Sequence, residues 1–191
     1  MRAIKTLDIY SEFFLLLGTY LSKKEDTIVK INPKVDFAFK KLFGSEKNKD
    51  LLLSLINSIV EPEEKIAEVI LKNPYNYALY MSGKMSILDI KAQDENGRWF
   101  NIEMQIGEDL YFDKRAIYYW AQMVTEQLSE SMMYKNLNKT ICVNFLDFNI
   151  IDGTDNFHTK FKILDDNSGK SFDLHDLFEM HYIELRKFNK D

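Results

Sequence analysis

The chain has 191 residues, 46% hydrophobic and 29% charged, with a net charge of −5, the make-up of one globular domain of ordinary size and not of a strongly basic DNA-coating protein. Only 7 glycines, 3 prolines and one cysteine occur, which excludes collagen-like and Pro-rich tracts and any intrachain disulfide; with neither G-x-G-x-x-G nor G-x-x-x-x-G-K-[ST] present, glycine-cradled nucleotide sites are excluded too. His158, His175 and His181 lack H-x-x-x-H or H-E-x-x-H zinc spacing, so a bound metal would be held by carboxylates, the chemistry of Mg²⁺ or Mn²⁺.

The run Ile9 to Leu21 is the most apolar part of the N-terminus. It falls short of the ~20 apolar residues a membrane span needs. Asp8 and Glu12 interrupt it and no small-residue cleavage site follows, so it reads as a helix within an N-terminal helical extension, residues 1–30, of a cytoplasmic protein. Val35, Phe39, Leu42 and Phe43 then recur at helical spacing, with Pro33 at the start and Gly44 at the end. Ser45 is placed to cap a second helix whose apolar stripe is Leu51, Leu52, Leu55, Ile56 and Ile59, ended by Pro62.

A strand is predicted over Ile66–Leu71 and another over Ser86–Ala92. Asn96-Gly97 is a hairpin turn, and Trp99–Ile106 is the return strand. Asp109 to Tyr134 reads as one long helix that buries Leu110, Ile117, Trp120, Ala121, Val124 and Leu128. Thr140–Phe148 is a central strand, with Cys142 a buried thiol among Ile141, Val143 and Phe145. Phe157–Leu164 and Phe172–Leu174 form a second hairpin about Asp165–Gly169, and Tyr182–Leu185 is a last strand. This order predicts an α/β domain with a mixed sheet flanked by helices.

Candidate chemistry sits in the first hairpin. Alternation puts Asp89 and Lys91 on one face of their strand, and Glu103 and Gln105 on one face of the next, with Ile90, Ile102 and Met104 opposite. Partners across neighbouring strands lie ~5 Å apart, so an Asp and a Glu there offer hard oxygen ligands to one divalent ion. Any half-exposed hairpin alternates in this way, and a solvated face is the plain alternative. Lys91 is either a cation near a bound phosphate or an exposed strand lysine. Arg115 and Tyr119 stand one helical turn apart; Tyr119 reads as packing, and Arg115 as a phosphate contact or a salt-bridge partner of a site carboxylate.

Five segments, in order, resemble the Rpn family of recombination-promoting nucleases and transposases in the PD-(D/E)XK nuclease superfamily. They are Asn32-Pro33-Lys34-Val35-Asp36-Phe37-Ala38-Phe39-Lys40-Lys41-Leu42-Phe43-Gly44, Leu88-Asp89-Ile90-Lys91-Ala92, Asn101-Ile102-Glu103-Met104-Gln105, Arg115-Ala116-Ile117-Tyr118-Tyr119-Trp120 and Ile183-Glu184-Leu185-Arg186-Lys187-Phe188. The resemblance marks residues 31–191 as a nuclease-like domain, truncated at its C-terminal end relative to the family.

It implies a restriction-endonuclease-like fold and a DNA endonuclease dependent on Mg²⁺ or Mn²⁺. Asp89 matches the first metal carboxylate and Glu103 the second. Gln105 stands where many superfamily members carry lysine; a neutral amide can orient water but cannot act as a base. Asp36 matches an acidic position on the first family helix, and Lys91 and Arg115 are supporting candidates. DNA is the implied partner, no membrane is, and a homodimer is one open arrangement. The alternative is a catalytically inactive DNA-binding or interaction protein on the same fold, which the acidic net charge favours, because phosphate contacts need Lys and Arg.

Overall fold

A computed structural model describes residues 36–63, 65–72, 89–129, 131–172 and 176–187, the side chains of residues 36–38 excepted. The helix expected within residues 9–21 lies outside them. The chain divides into two compact units, one ending at Glu68 and the other beginning at Val69.

In the first unit, α1 (Asp36–Phe43) ends as expected at Gly44, whose N–H donates to the Lys40 carbonyl at 2.8 Å. Phe39 and Phe43, one turn apart, bring their rings to 5.0 Å. Ser45 does not cap the next helix. A single 3-10 turn, Glu46–Asn48, intervenes, and the Ser45 carbonyl accepts from Asn48 N–H instead. Helix α2 (Lys49–Val60) then buries Leu52, Leu55, Ile56, Ile59 and Val60. It stops at Glu61, a non-glycine residue in the left-handed region (φ 46°), just before Pro62. The Asn57 side chain ties the returning chain down: Nδ2 donates to the Ile66 carbonyl and Oδ1 accepts from Ile66 N–H, both at 2.9 Å.

The second unit is a six-stranded sheet in the order β1-β2-β3-β4-β6-β5. Its strands are β1 (Val69–Lys72), β2 (Ile90–Asp94), β3 (Trp99–Gln105), β4 (Thr140–Leu146), β5 (His158–Lys162) and β6 (Phe178–Glu184). β1, β2 and β3 are antiparallel neighbours, whereas β3, β4 and β6 run parallel. The β2–β3 turn is the one expected. Gly97 adopts φ 82°, its N–H donates to the Asp94 carbonyl, and Asp94 Oδ1 accepts from Asn96 and Arg98 N–H. A Cβ at Gly97 would meet Asn138 Oδ1 at 3.1 Å, so the turn needs glycine for both torsion and space.

Two adjacent parallel strands require a crossover, supplied by α3 (Phe112–Glu126) between β3 and β4. Its buried residues are Phe112, Ala116, Gln122 and Met123; of the predicted stripe Trp120 packs against the core, whereas Leu110 is 86% exposed and Ile117 53%. The helix also starts later and ends sooner than expected. Asp109 takes the N-terminal amides, its Oδ1 from Tyr111 and its carbonyl from Phe112, so the stripe is phased from Phe112. At the other end the Gln127 side chain bonds Asn138 N–H and Thr140 Oγ1, turning the chain into β4. Phe112 and Ala116 pack with Cys142, Leu146, Phe148, Met180 and Tyr182 into a core between helix and sheet. Ile90, Phe100, Ile102, Met104, Ile141, Val143 and Phe145 are among the buried apolar residues of the opposite face.

The second hairpin does not form as expected. The Asp165–Gly169 turn is present, but β5 pairs antiparallel with β6, and Phe172 is not in a strand. Residues 173–175, at the end of the expected return strand, lie outside the described residues. β6 starts at Phe178, earlier than expected, because it continues the parallel register from β4, with Thr140 opposite Phe178.

Candidate active site

The site forms where β2 begins and β3 ends. Ile90 is registered against Ile102, so Asp89, immediately before β2, falls beside Glu103. Two hydrogen bonds lock the pair. Met104 N–H donates to Asp89 Oδ2 at 2.8 Å, and Asp89 N–H donates to Glu103 Oε1 at 3.1 Å. Glu103 and Gln105 approach the carboxyl end of β3, the end of parallel strands at which α/β sheets bind ligands. They lie on the face that α3 covers.

Glu103 is 6% exposed. Burial is the main reason its pKa is pushed up to about 8, and the Asp89 charge adds to it. The Asp89 amide, the Asn101 side chain and the Arg115 charge act in the other direction without overcoming it. Tyr119, on α3 above the strand, has its pKa raised by burial and then by the Glu103 charge. Cys142 is buried; desolvation and Glu103 both push its thiol pKa up, which leaves it inert as a nucleophile.

Arg115 is held beside Gln105. Its Nη2 donates to Gln105 Oε1, its Nη1 pairs with Asp109 Oδ2 at 3.0 Å, and its guanidinium lies over the Phe112 and Tyr119 rings at 4.7 and 5.9 Å. Its salt bridge is therefore to Asp109 and not to the Asp89–Glu103 pair. Gln105 in turn is braced, its Nε2 donating to the Ile106 and Gly107 carbonyls at 3.3 Å.

Lys91 is a correction: it is buried, not an exposed strand lysine. Its ammonium is bonded to Glu126 at the end of α3 and lies 5.1 Å from the centre of the Trp99 ring. Asp36 is the first residue of α1, in the other unit; its side chain lies outside the described residues. The structure thus brings together Asp89, Glu103, Gln105 and Arg115.

Three contributors escaped the sequence reading. Asn101 was within reach, because alternation puts it on the Glu103 face. Asp109 carried a signal as an acidic residue at a helix start. Glu126 carried none, because its pairing with Lys91 depends on where α3 crosses the sheet.

Asp89 and Glu103 offer hard oxygen donors on adjacent strands, and their mutual repulsion is the kind a divalent cation relieves. The buried Asn101 Oδ1 has no hydrogen-bond partner among the described residues, a further oxygen on the same face. The donor set therefore fits Mg²⁺ or Mn²⁺, with substrate and water oxygens completing the shell. Among the described residues no group of three or more His, Cys, Asp and Glu side chains forms a metal cluster.

A mixed sheet with an antiparallel hairpin leading into parallel strands, a crossover helix packed on one face and a carboxylate pair on the strands of that hairpin is a restriction-endonuclease-like α/β fold. The family model described as PD-(D/E)XK nuclease family transposase matches residues 33–191, and the chain belongs to that family. No curated protein and no solved structure matches the chain significantly. No described helix is long and apolar enough to cross a membrane.

Proposed function

We propose that the protein is a divalent-metal-dependent DNA endonuclease, hydrolysing phosphodiester bonds in cytoplasmic DNA during recombination or transposition. The observation that carries this reading is the hydrogen-bonded pair Asp89 and Glu103, side by side where β2 begins and β3 ends, with Glu103 buried and its pKa raised. Perturbed carboxylates in such a position mark functional sites more often than structural ones.

Asp89 and Glu103 would hold Mg²⁺ or Mn²⁺, which supplies Lewis-acid polarisation of the phosphate and acidification of a water. Met104 N–H fixes Asp89 by one oxygen and Asp89 N–H fixes Glu103 by one, so both carboxylates are oriented in advance. Gln105 orients the attacking water through its amide, and Arg115 holds that amide. Arg115 also puts positive charge beside Gln105, which stands where many members of the superfamily it resembles carry lysine. Lys91, bonded to Glu126, serves the fold.

The test is plasmid cleavage with Mg²⁺ or Mn²⁺, with and without EDTA, by the wild type beside Asp89→Ala. Cleavage should need the metal and fall by about a thousandfold in the variant, the scale of several kcal/mol for lost metal catalysis. Equal cleavage by both proteins would sink the proposal. Salt-sensitive DNA binding with no cleavage under any metal would favour a non-catalytic DNA-binding role.

A further inference from the structure

Among the described residues, one flank of α3 carries none of the helix's buried residues. Tyr111, Lys114 and Tyr118 stand at i, i+3 and i+7 and so share it. Tyr111 is 65% exposed and Tyr118 41%, although the inward stripe of the same helix is filled. Leu110, also exposed, precedes them. This flank borders the carboxylate site. The Tyr118 and Tyr119 rings are 6.3 Å apart, and Tyr119 feels the charges of Glu103 and Asp89.

Cations are placed against these rings. Lys114 Nζ lies 5.2 Å from the Tyr111 ring centre, and the Arg115 guanidinium lies over Tyr119, the ring beside Tyr118. Nearby acidic charge is largely turned away or engaged: Asp109 is paired with Arg115, and Asp113 is about half a turn round the helix from Tyr111. A strip of exposed aromatic faces with cations beside them complements a nucleic-acid strand, bases on rings and phosphates on Lys114. A duplex cannot use it, because its base faces are stacked inside and must be taken out to reach a protein ring.

We infer that the Tyr111–Tyr118 flank of α3 is a stacking platform for unpaired DNA nucleotides next to the scissile phosphate, so that the site takes single-stranded or locally opened DNA. The inference rests on the nuclease reading for the position of the scissile bond, and the Tyr111–Tyr118 surface itself stands on exposure and geometry.

The test is fluorescence anisotropy on the full chain in EDTA, with labelled oligo(dT) of about 20 nucleotides, longer than one stacking site, and a duplex of equal length. Wild type should bind oligo(dT) more tightly than duplex. Tyr111→Ala/Tyr118→Ala should weaken oligo(dT) binding by roughly 10- to 100-fold, the scale of one stacked base, with duplex affinity within about twofold. Tyr118→Trp should keep the binding, since indole stacks as well as phenol. The inference is overturned if wild type shows no preference for oligo(dT), or if both variants match wild type. It is also overturned if the double variant loses both ligands equally. A change in sedimentation of the double variant without DNA would overturn it as well, by making the flank a contact between copies. Tyr-dependent oligo(dT) binding without metal-dependent cleavage sinks the nuclease reading alone. Cleavage with Tyr-independent binding sinks the platform alone.

Discussion

Glu103 and Glu179 are two buried glutamates on opposite faces of one sheet, and they differ in what surrounds them. Glu179 is 2% exposed yet ion-paired with Lys139, Lys160 and Lys162, and His181 Nε2 lies 2.8 Å from its Oε1. Burial works to raise its pKa, but the hydrogen bonds and charges of His181 and Lys139 win and hold it well below the usual carboxylate range. Glu103 meets a like charge, Asp89, and its pKa rises instead. Burial penalises both carboxylates; only one is compensated. The compensated one joins β4, β5 and β6. The uncompensated one is the carboxylate to which the proposed function assigns the metal.

The largest expected divergence is between Glu103→Gln and Glu179→Gln. Glu103→Gln should lower metal-dependent cleavage about a thousandfold, while metal-free stability at pH 8 rises, because an uncompensated charge is gone. Glu179→Gln should do the reverse. It strands three lysines and costs about 3 kcal/mol, the low end for breaking a buried ion pair because Lys160 and Lys162 stay partly solvated. For a chain of this size that is a fall in Tm of roughly 6–12 °C, with cleavage per folded molecule unchanged. Denaturant titration beside the plasmid assay separates the two. Loss of cleavage in folded Glu179→Gln would erase the contrast.

Metal should protect only through the first glutamate. At a hundredfold excess over its dissociation constant, Mn²⁺ should stabilise the wild type and Glu179→Gln by about 2.7 kcal/mol, and Asp89→Ala and Glu103→Gln not at all. Because Glu103 must be ionised to ligate, the thermal shift should grow between pH 6 and 8. An equal shift in Asp89→Ala would place the ion elsewhere.

The pH dependence of the metal-free protein sharpens the same contrast. The folded pKa of Glu103, about 8, is above its ordinary 4.5, so the unfolded chain ionises first and stability falls as pH rises from 4.5 to 8. Glu179 is depressed, so its contribution is present above the ordinary carboxylate range and is lost as pH falls through it. His158, bonded through Nε2 to His181 Nδ1, is lowered from 6.5 to about 4 by burial and by the neighbouring His181 and Lys160 charges. It adds a loss of stability between those values on acidification. Tm against pH should therefore be a dome. Glu103→Gln flattens its alkaline limb, and Glu179→Gln flattens the lower part of its acid limb. An unchanged alkaline limb in Glu103→Gln would show that this carboxyl ionises normally.

The site was legible where it depends on one strand and one tight turn. Alternation fixes the face of Glu103 and Gln105, Asn96-Gly97 fixes the hairpin, and together they bring Asp89 beside Glu103. What could not be read depends on how elements cross. The phase of α3 was misjudged because Leu110 and Ile117 are apolar yet exposed, while Phe112 and Ala116 start the buried stripe just after the turn in which Tyr111 N–H donates to Asp109 Oδ1. The partner of β5 was misjudged because a turn at Asp165–Gly169 suggests a local hairpin, whereas β5 is the edge strand and pairs with β6, further along the chain. His181 and Glu179 belong to one strand, but their lysines come from two other parts of the chain, Lys139 before β4 and Lys160 and Lys162 on β5, so no single spacing announces that cluster.

Lys91 carries the smallest expected effect and the finest distinction. On the strand it shares a face with Asn101, its registered partner, two residues from Glu103, and a free cation there would serve a phosphate. Its ammonium is instead bonded to Glu126 and lies near the Trp99 ring, so its charge is engaged at the far end of α3. Lys91→Met keeps the length and apolar stem and removes only the charge. Glu126 stays partly exposed and can be solvated, so the cost should be about 1 kcal/mol, near the upper limit for a pair with one solvated partner. Cleavage and the salt dependence of DNA binding should not move, because no phosphate contact is lost. A tenfold fall in cleavage with unchanged stability would make Lys91 part of the catalytic face. A shallower salt dependence would make it a DNA contact. Unchanged cleavage and salt dependence leave Arg115 as the cation nearest Gln105, and Arg115→Lys should then lower kcat more than it raises KM, because an ammonium cannot hold Gln105 and Asp109 together as the guanidinium fork does.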